Sequence, residues 1–192
     1  MSQPIVSGSV GTGAVDRVAE LASIFATDAT FRAFYDRALP RVYGYLVSRC
    51  GGDRSAAEEL AQETFIAAIR ERRSFDGRSD PMTWLIAIAR HKLTDQYRRR
   101  EREEGRRLRL LVREVEVGLD ASAWRSADER DEIVRVLATL PIMQRAVLVL
   151  HYADGLPVRE IAAQLGKTEA AVESLMSRAR DAFRKTYRGA ER

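Results

Sequence analysis

The chain has 192 residues, 32 basic against 28 acidic, a formal net charge of +4 and a single cysteine. One cysteine excludes a disulfide framework and a thiolate metal cluster, and with only His91 and His151 beside Cys50 no metal centre is expected. No apolar run approaches the ~18 residues a membrane span needs, and the N-terminus lacks a signal peptide's basic start and apolar core, so a reduced, cytoplasmic protein without membrane insertion is expected.

Only 12 Gly and 5 Pro, among long runs of Ala, Leu, Arg and Glu, argue for an all-α fold. The charge is unevenly placed. Residues 70–113 hold 14 basic against 7 acidic side chains, residues 1–69 hold 6 against 8, and residues 128–192 hold 11 against 10. Clustered positive charge suits phosphate, although a solvated arginine-rich helix has the same composition.

Taken in order, residues 1–14 are rich in Gly and Ser and read as disordered. A short amphipathic helix is predicted over Val15–Ala26 through Val18, Leu21, Ala22 and Phe25. Asp28–Cys50 is helical, with Pro40 expected to break or kink it near Leu39. After the turn Gly51-Gly52-Asp53, Ser55 reads as an N-cap, with Glu58 completing a capping box. The helix from Ala56 to about Arg72 turns Leu60, Phe65 and Ile69, flanked by Ala61 and Ala68, towards a core. Glu58, Glu59, Gln62 and Glu63 crowd its other side, either to complement the helix dipole or to dock a basic partner.

Ser74–Pro81 is a polar loop with Asp-Gly turn chemistry. The long helix from Met82 to about Arg109 carries the stripe Trp84, Leu85, Ile88, Ala89 and Leu93. Arg90, His91, Lys92, Gln96, Tyr97 and Arg98–Arg100 are expected mainly outside it. Aromatics and arginines on one helix can hold single-stranded bases, each stacked base being worth ~1–3 kcal/mol; Trp84 itself, on a helical stripe, reads first as core. Periodicity fades over Glu101–Ala127, and a linker is expected there. Asp128–Leu140 is helical. Pro141 opens the next helix, with Ala146, Val147, Leu150 and Tyr152 inward and Arg145 outward.

Val158–Arg180 is a helix-turn-helix pattern. Ala162, Gly166 and Val172 provide a small crossing residue, a turn and an apolar anchor at the spacing that motif needs. Val158, Ile161, Ala162 and Leu165 form the first inner face; Val172, Leu175 or Met176, Ala179 and Phe183 form the second. Glu169, Glu173, Ser174, Ser177, Arg178 and Asp181 are left outward. No phosphate loop, nucleophile elbow or paired-carboxylate cleft is present in the sequence, so no catalytic residue and no cofactor are expected.

Together, AEELAQETF (Ala57–Phe65), FDGRSDPMTWLIAIARHKLTDQYRRR (Phe75–Arg100) and LPIMQRAVLVLHYADGLPVREIAAQLG followed by VESLMSRAR resemble bacterial RNA polymerase sigma factors of the extracytoplasmic-function (ECF) group. The resemblance implies two small helical domains joined by a flexible linker. Residues 28–104 would be region 2 and residues 128–188 region 4, with 105–127 the linker and 1–27 a disordered start plus the short helix.

It implies that Glu58, Glu59, Gln62 and Glu63 dock on core RNA polymerase, whose beta and beta-prime subunits would be partners. Phe75, Asp76, Gly77, Arg78 and Ser79 would capture a flipped base of the −10 element of promoter DNA. Trp84, Arg90, His91, Lys92, Arg98 and Arg99 would hold the separated strand. Arg159, Thr168, Glu169, Glu173, Ser174, Ser177 and Arg178 would read the −35 element in the major groove. An anti-sigma factor is implied as a further partner.

The sequence departs from the family in two places. His91 stands where Asn is common, and AAVESL replaces the frequent GTV(K/R)SR, so Glu173 replaces a cation and either accepts from cytosine N4 or repels the backbone. The competing reading is a helix-turn-helix regulator that is not a polymerase subunit. It leaves the acidic face of the third helix and the basic, aromatic helix unexplained.

Overall fold

The structure, a computed structural model, describes residues 10–111 and 129–190. Among these residues there is no strand. The elements are α1 (Val10–Ile24), α2 (Asp28–Arg49), α3 (Arg54–Glu71), a 3-10 turn at Arg72–Ser74, α4 (Pro81–Leu111), α5 (Glu129–Thr139), α6 (Ile142–Leu148), a π turn at Val149–Ala153, α7 (Val158–Leu165) and α8 (Glu169–Ala190). Most of the sequence expected as linker, and residues 1–9 of the expected disordered start, lie outside the described residues.

The helices divide into two compact units. The described residues up to Leu46 form one with Ala57–Arg90, and Val47–Ala56 form the other with the described residues from His91 on. In the first, α1, most of α2, α3 and the start of α4 bury Leu21, Phe34, Ala38, Val42, Leu60, Phe65, Leu85 and Ala89. Aromatic rings run along one side of this core: Phe25 on Phe31 (5.3 Å), Phe31 on Tyr35 (6.3 Å) and Tyr35 on Phe65 (4.5 Å). Offset and tilted ring pairs at these distances add to area burial.

In the second unit α8 packs on α5, α6 and α7. Val147, Leu150, Ile161, Val172 and Ala179 are sealed from solvent at the centre. The same unit holds the end of α2 and the body of α4, where the Tyr97 hydroxyl donates to the Arg49 carbonyl at 2.7 Å.

Local chemistry differs from the sequence expectation at several points. Helix α1 begins at Val10, five residues before the predicted start, so residues 10–14 are helical rather than disordered. Pro40 does not end α2, which runs unbroken to Arg49. The proline costs a hydrogen bond, but Ala38, Val42 and Leu46 on either side are completely buried, and that burial carries the helix through. Asp53 rather than Ser55 caps α3, its Oδ1 accepting from the Ala56 N–H at 3.0 Å.

Five side chains reverse their expected side. Gln96 and Tyr97 are buried, as is Arg145, whereas Tyr152 is 62% exposed. Tyr97 and Arg145 go inward because the chain around residue 50 offers acceptors: the Arg49 carbonyl for Tyr97 and the Cys50 carbonyl, at 3.4 Å, for Arg145. Ile69, expected in the core, is 40% exposed.

Candidate nucleic-acid and protein interfaces

The first surface lies on α3. Its buried side carries Ala57, Leu60, Ala61, Thr64, Phe65 and Ala68, and the Thr64 hydroxyl satisfies itself on the Leu60 carbonyl at 2.7 Å. Glu58, Glu59 and Gln62 are left exposed and Glu63 half-buried. The same side continues with Ile66, 48% exposed, and Ile69. Residues 59, 62, 66 and 69 follow at helical spacing, so the acidic head runs into an apolar tail. The periodicity held that signal, but Ile69 alone also fits a core stripe.

The second surface is the loop between α3 and α4. Phe75 is buried, with its ring edge-on to Trp84 at 5.4 Å between centroids. Trp84 itself is half-buried. Asp76 and Arg78 project outward, paired at 3.0 Å, while Gly77 is buried and Ser79 half-buried.

Asp80 ends the loop as the cap of α4. Its Oδ1 accepts from the Met82 and Thr83 N–H groups, both at 3.0 Å, and its Oδ2 from the Thr83 hydroxyl at 2.6 Å. The Thr83 hydroxyl, then the backbone N–H groups, hold the Asp80 carboxyl below its ordinary pKa despite a small opposing effect of burial. Pro81 follows at the first helical position, where its missing N–H costs nothing. Farther along α4, Arg90 and Lys92 are half-buried and His91 exposed; Arg98 pairs with Asp95, and Arg99 is exposed.

The third surface is the helix-turn-helix. Gly166 closes α7 in the left-handed conformation (φ +64°), with the Lys167 N–H returning to the Ala162 carbonyl at 2.9 Å. Thr168 then caps α8, its hydroxyl accepting from the Ala171 N–H at 3.2 Å. The cap aligns α8 so that Val172, Met176 and Ala179 face inward. Thr168, Glu169, Glu173, Ser174, Ser177 and Arg178 are all exposed on the other side, and Arg159 is exposed on α7. The Arg178 side chain lies back along the helix, Nε donating to the Ser174 carbonyl at 3.3 Å.

One further feature escaped the sequence. Ile133, Leu137, Leu148, Val149, Tyr152 and Phe183 line an open apolar groove of about 480 Å³ between α5, the π turn and α8. Tyr152 contributes its outward ring because the π turn adds one residue per hydrogen-bonded ring, rotating the side chains that follow.

Residues 34–103 match the sigma-70 region 2 family and residues 130–183 match sigma-70 region 4. The chain is 31% identical over 149 residues to the ECF RNA polymerase sigma factor SigK of Mycobacterium sp. (strain KMS), spanning 76% of this chain and 77% of that one. It belongs to the ECF sigma factors. Other relatives are SigX of Bacillus subtilis (strain 168), 30% identical over 82% of this chain and 84% of its own, and SigC of Mycobacterium tuberculosis (strain CDC 1551 / Oshkosh), 36% identical over 68% and 70%. A solved sigma factor, RpoE of Bartonella quintana in complex with the anti-sigma factor NepR, shares the fold at 23% identity and a TM-score of 0.51, covering 84% of this chain and 98% of that one.

In this ECF sigma factor the acidic face of α3 and the loop at 75–80 fall within region 2, and the capped helix α8 falls within region 4 as far as Phe183. Helix α1 precedes the region 2 match altogether. No helix among the described residues is long and apolar enough to cross a membrane.

Proposed function

We propose that this ECF sigma factor is a promoter-specificity subunit: it binds core RNA polymerase, recognises promoter DNA and opens the −10 element for initiation. The observation that carries the reading is the presence, in one chain, of both matched regions, each with a polar face left outside its core. Glu58, Glu59, Gln62 and Glu63 offer negative charge to a basic surface of the polymerase, and Ile66 and Ile69 extend that contact with apolar area. This mixture of charged rim and apolar anchor is what protein interfaces use.

The loop from Phe75 and the start of α4 accept a base drawn from the duplex. Asp76, Arg78 and Ser79 meet it first, and Trp84, held from behind by Phe75, supplies a ring. Flipping costs a few kcal/mol, which stacking on such a ring offsets. Arg90, His91, Lys92, Arg98 and Arg99 then take the phosphates of the separated strand. At −35 the outward residues of α8 enter the major groove, where Ser174, Ser177 and Arg178 reach base edges. The protein carries out no chemistry of its own and works in the cytoplasm.

An anti-sigma factor belongs to this reading as a partner, supported by the Bartonella quintana sigma factor of the same fold being solved in complex with one. The test is direct binding of the purified chain to core polymerase, with and without Glu58→Lys, Glu59→Lys and Glu63→Lys together. Saturable binding that the triple substitution weakens at least about tenfold is expected for charge pairs at an interface. Equal affinity of both chains would move the docking face elsewhere, and no binding by either would overturn the function.

A further inference from the structure

Helix α1 lies outside the region 2 match, yet it is tied firmly to the unit that carries the −10 loop. Leu21 and Ile24 are buried in that core, the Thr30 hydroxyl donates to the Ile24 carbonyl at 3.0 Å, and the Arg72 guanidinium lies 5.9 Å from the Phe25 ring centroid. The opposite end of α1 reaches the loop. A β-carbon at Gly77 would overlap the Ala14 carbonyl oxygen and stand 3.0 Å from both the Ala14 carbonyl carbon and Val18 Cγ2. Gly77 also has φ +71°, a left-handed conformation that a side chain strains. Two independent constraints therefore meet at one residue: the turn requires glycine, and the backbone of α1 occupies the space a side chain would fill.

The contact has a consequence for its neighbours. Gly77 lies between Asp76 and Arg78, the two side chains the loop sends outward. On one side Phe75 is pinned against Trp84, and on the other Asp80 is fixed as the cap of α4. The loop is thus held at Phe75 by the core, at Asp80 by α4, and at its tip by α1. Removing the third support leaves the four residues Asp76–Ser79 as an arch anchored only at its ends, free to take postures in which Asp76 and Arg78 point elsewhere.

We propose that α1 is part of the promoter-reading unit and that Gly77 is a positioning residue, through which the Ala14 carbonyl and Val18 hold Asp76 and Arg78 in the posture that receives the −10 base. The inference rests on the reading that this loop captures that base.

The test uses the full chain with core polymerase on the promoters it selects. Val15→Pro is the informative variant. Val15 is 68% exposed, so its side chain is not needed for packing. Proline disfavours helical backbone at the preceding residue, so Ala14 leaves its place while the helix restarts behind it with Leu21 and Ile24 still seated. Hydrogen exchange at Gly77 and Arg78 should quicken about tenfold or more as the support is lost. Open-complex formation should fall about tenfold, with affinity for core polymerase unchanged.

Gly77→Ala should impair opening in the parent chain by at least about tenfold, from strain and overlap together. It should impair opening less in the Val15→Pro background, where the overlap is gone. If Val15→Pro does not fold, Val18→Ala, which removes only the Cγ2 contact, carries the same two readouts with smaller effects in the same direction. Unchanged opening with a loosened loop, an unchanged loop, or equal Gly77→Ala penalties in both backgrounds would overturn the proposal. A parent chain that starts no transcripts would instead overturn the promoter reading, and the hydrogen-exchange result would still decide whether α1 holds the loop.

Discussion

Arg49 grips Asp154 across 105 residues of sequence, its Nε and one terminal nitrogen donating to the same carboxylate oxygen at 2.9 and 2.6 Å. The side chains retain only 14% and 4% of their exposure, so the pair is largely desolvated. Its mutual attraction mainly offsets the cost of burying both charges, and loss of one partner strands the other. Within the same unit the Arg49 carbonyl accepts from the Tyr97 hydroxyl, which couples the end of α2 to α4.

Arg49→Ala or Asp154→Ala should therefore each lower unfolding stability by about 3 kcal/mol. The double substitution should cost clearly less than the sum, because neither charge is then left behind. Urea unfolding of the four chains measures this directly, and additive losses would contradict the pairing.

Asp80→Ala should cost about 1 kcal/mol, the usual value of a lost N-cap. The effect should depend on pH. The folded carboxyl sits below its ordinary value of 3.8, so its stabilisation is complete above that value and disappears as pH falls through the lower folded one. Thermal unfolding should show the two chains well separated at pH 7 and converging in strong acid.

Burial raises the Cys50 thiol from 9.0 to about 11, against the opposing charges of Arg100 and Arg145 and with a small push from Asp53. Two pKa units reduce the thiolate fraction about a hundredfold at neutral pH. Reaction with a disulfide reagent at pH 8 should be slower than for a free thiol by at least that factor and should become fast on unfolding. Because the folded pKa is raised, the stability this thiol contributes is intact below pH 9 and lost as pH climbs towards 11. Comparing Cys50→Ala with the parent chain across that range isolates the effect.

Ile66→Ser and Ile69→Ser should leave stability within about 0.5 kcal/mol, since both side chains already face water. Together they should weaken binding to core polymerase about tenfold, the loss expected when apolar anchors leave an interface. A fall in stability with no change in affinity would return both residues to a purely structural role.

The helices themselves were legible in the sequence, because runs such as Leu60–Phe65 and Ile161–Val172 repeat at helical spacing with turn residues between them. Gly166 and Thr168 could be placed for the same reason: a left-handed turn and a cap are demands of the local chain. What stayed hidden depends on distant partners. Tyr97 and Arg145 look like surface residues until the carbonyls of Arg49 and Cys50 are brought to them. Pro40 looks like a break until the buried residues around it are counted.

The candidate interfaces divide in the same way. Glu58, Glu59, Gln62 and the outward residues of α8 were placed by periodicity and are exposed. The resemblance groups Phe75 and Gly77 with the loop residues that meet DNA, whereas Phe75 packs edge-on against Trp84 and Gly77 lies under α1. The Asp-Gly pair announces a turn and says nothing of what lies over it. Ile69 fits a core stripe because it follows the buried Phe65 by four residues, yet it equally continues the exposed run through Glu59, Gln62 and Ile66, and the structure places it on that run.

The most direct measurement is run-off transcription from fragmented genomic DNA of the source organism by its own core RNA polymerase, with and without this chain. The expected result is a set of discrete new start sites that share sequence about 10 and 35 base pairs upstream and vanish when Glu58, Glu59 and Glu63 are reversed to lysine. A polymerase that starts at the same positions with or without the chain would contradict its role as a sigma factor.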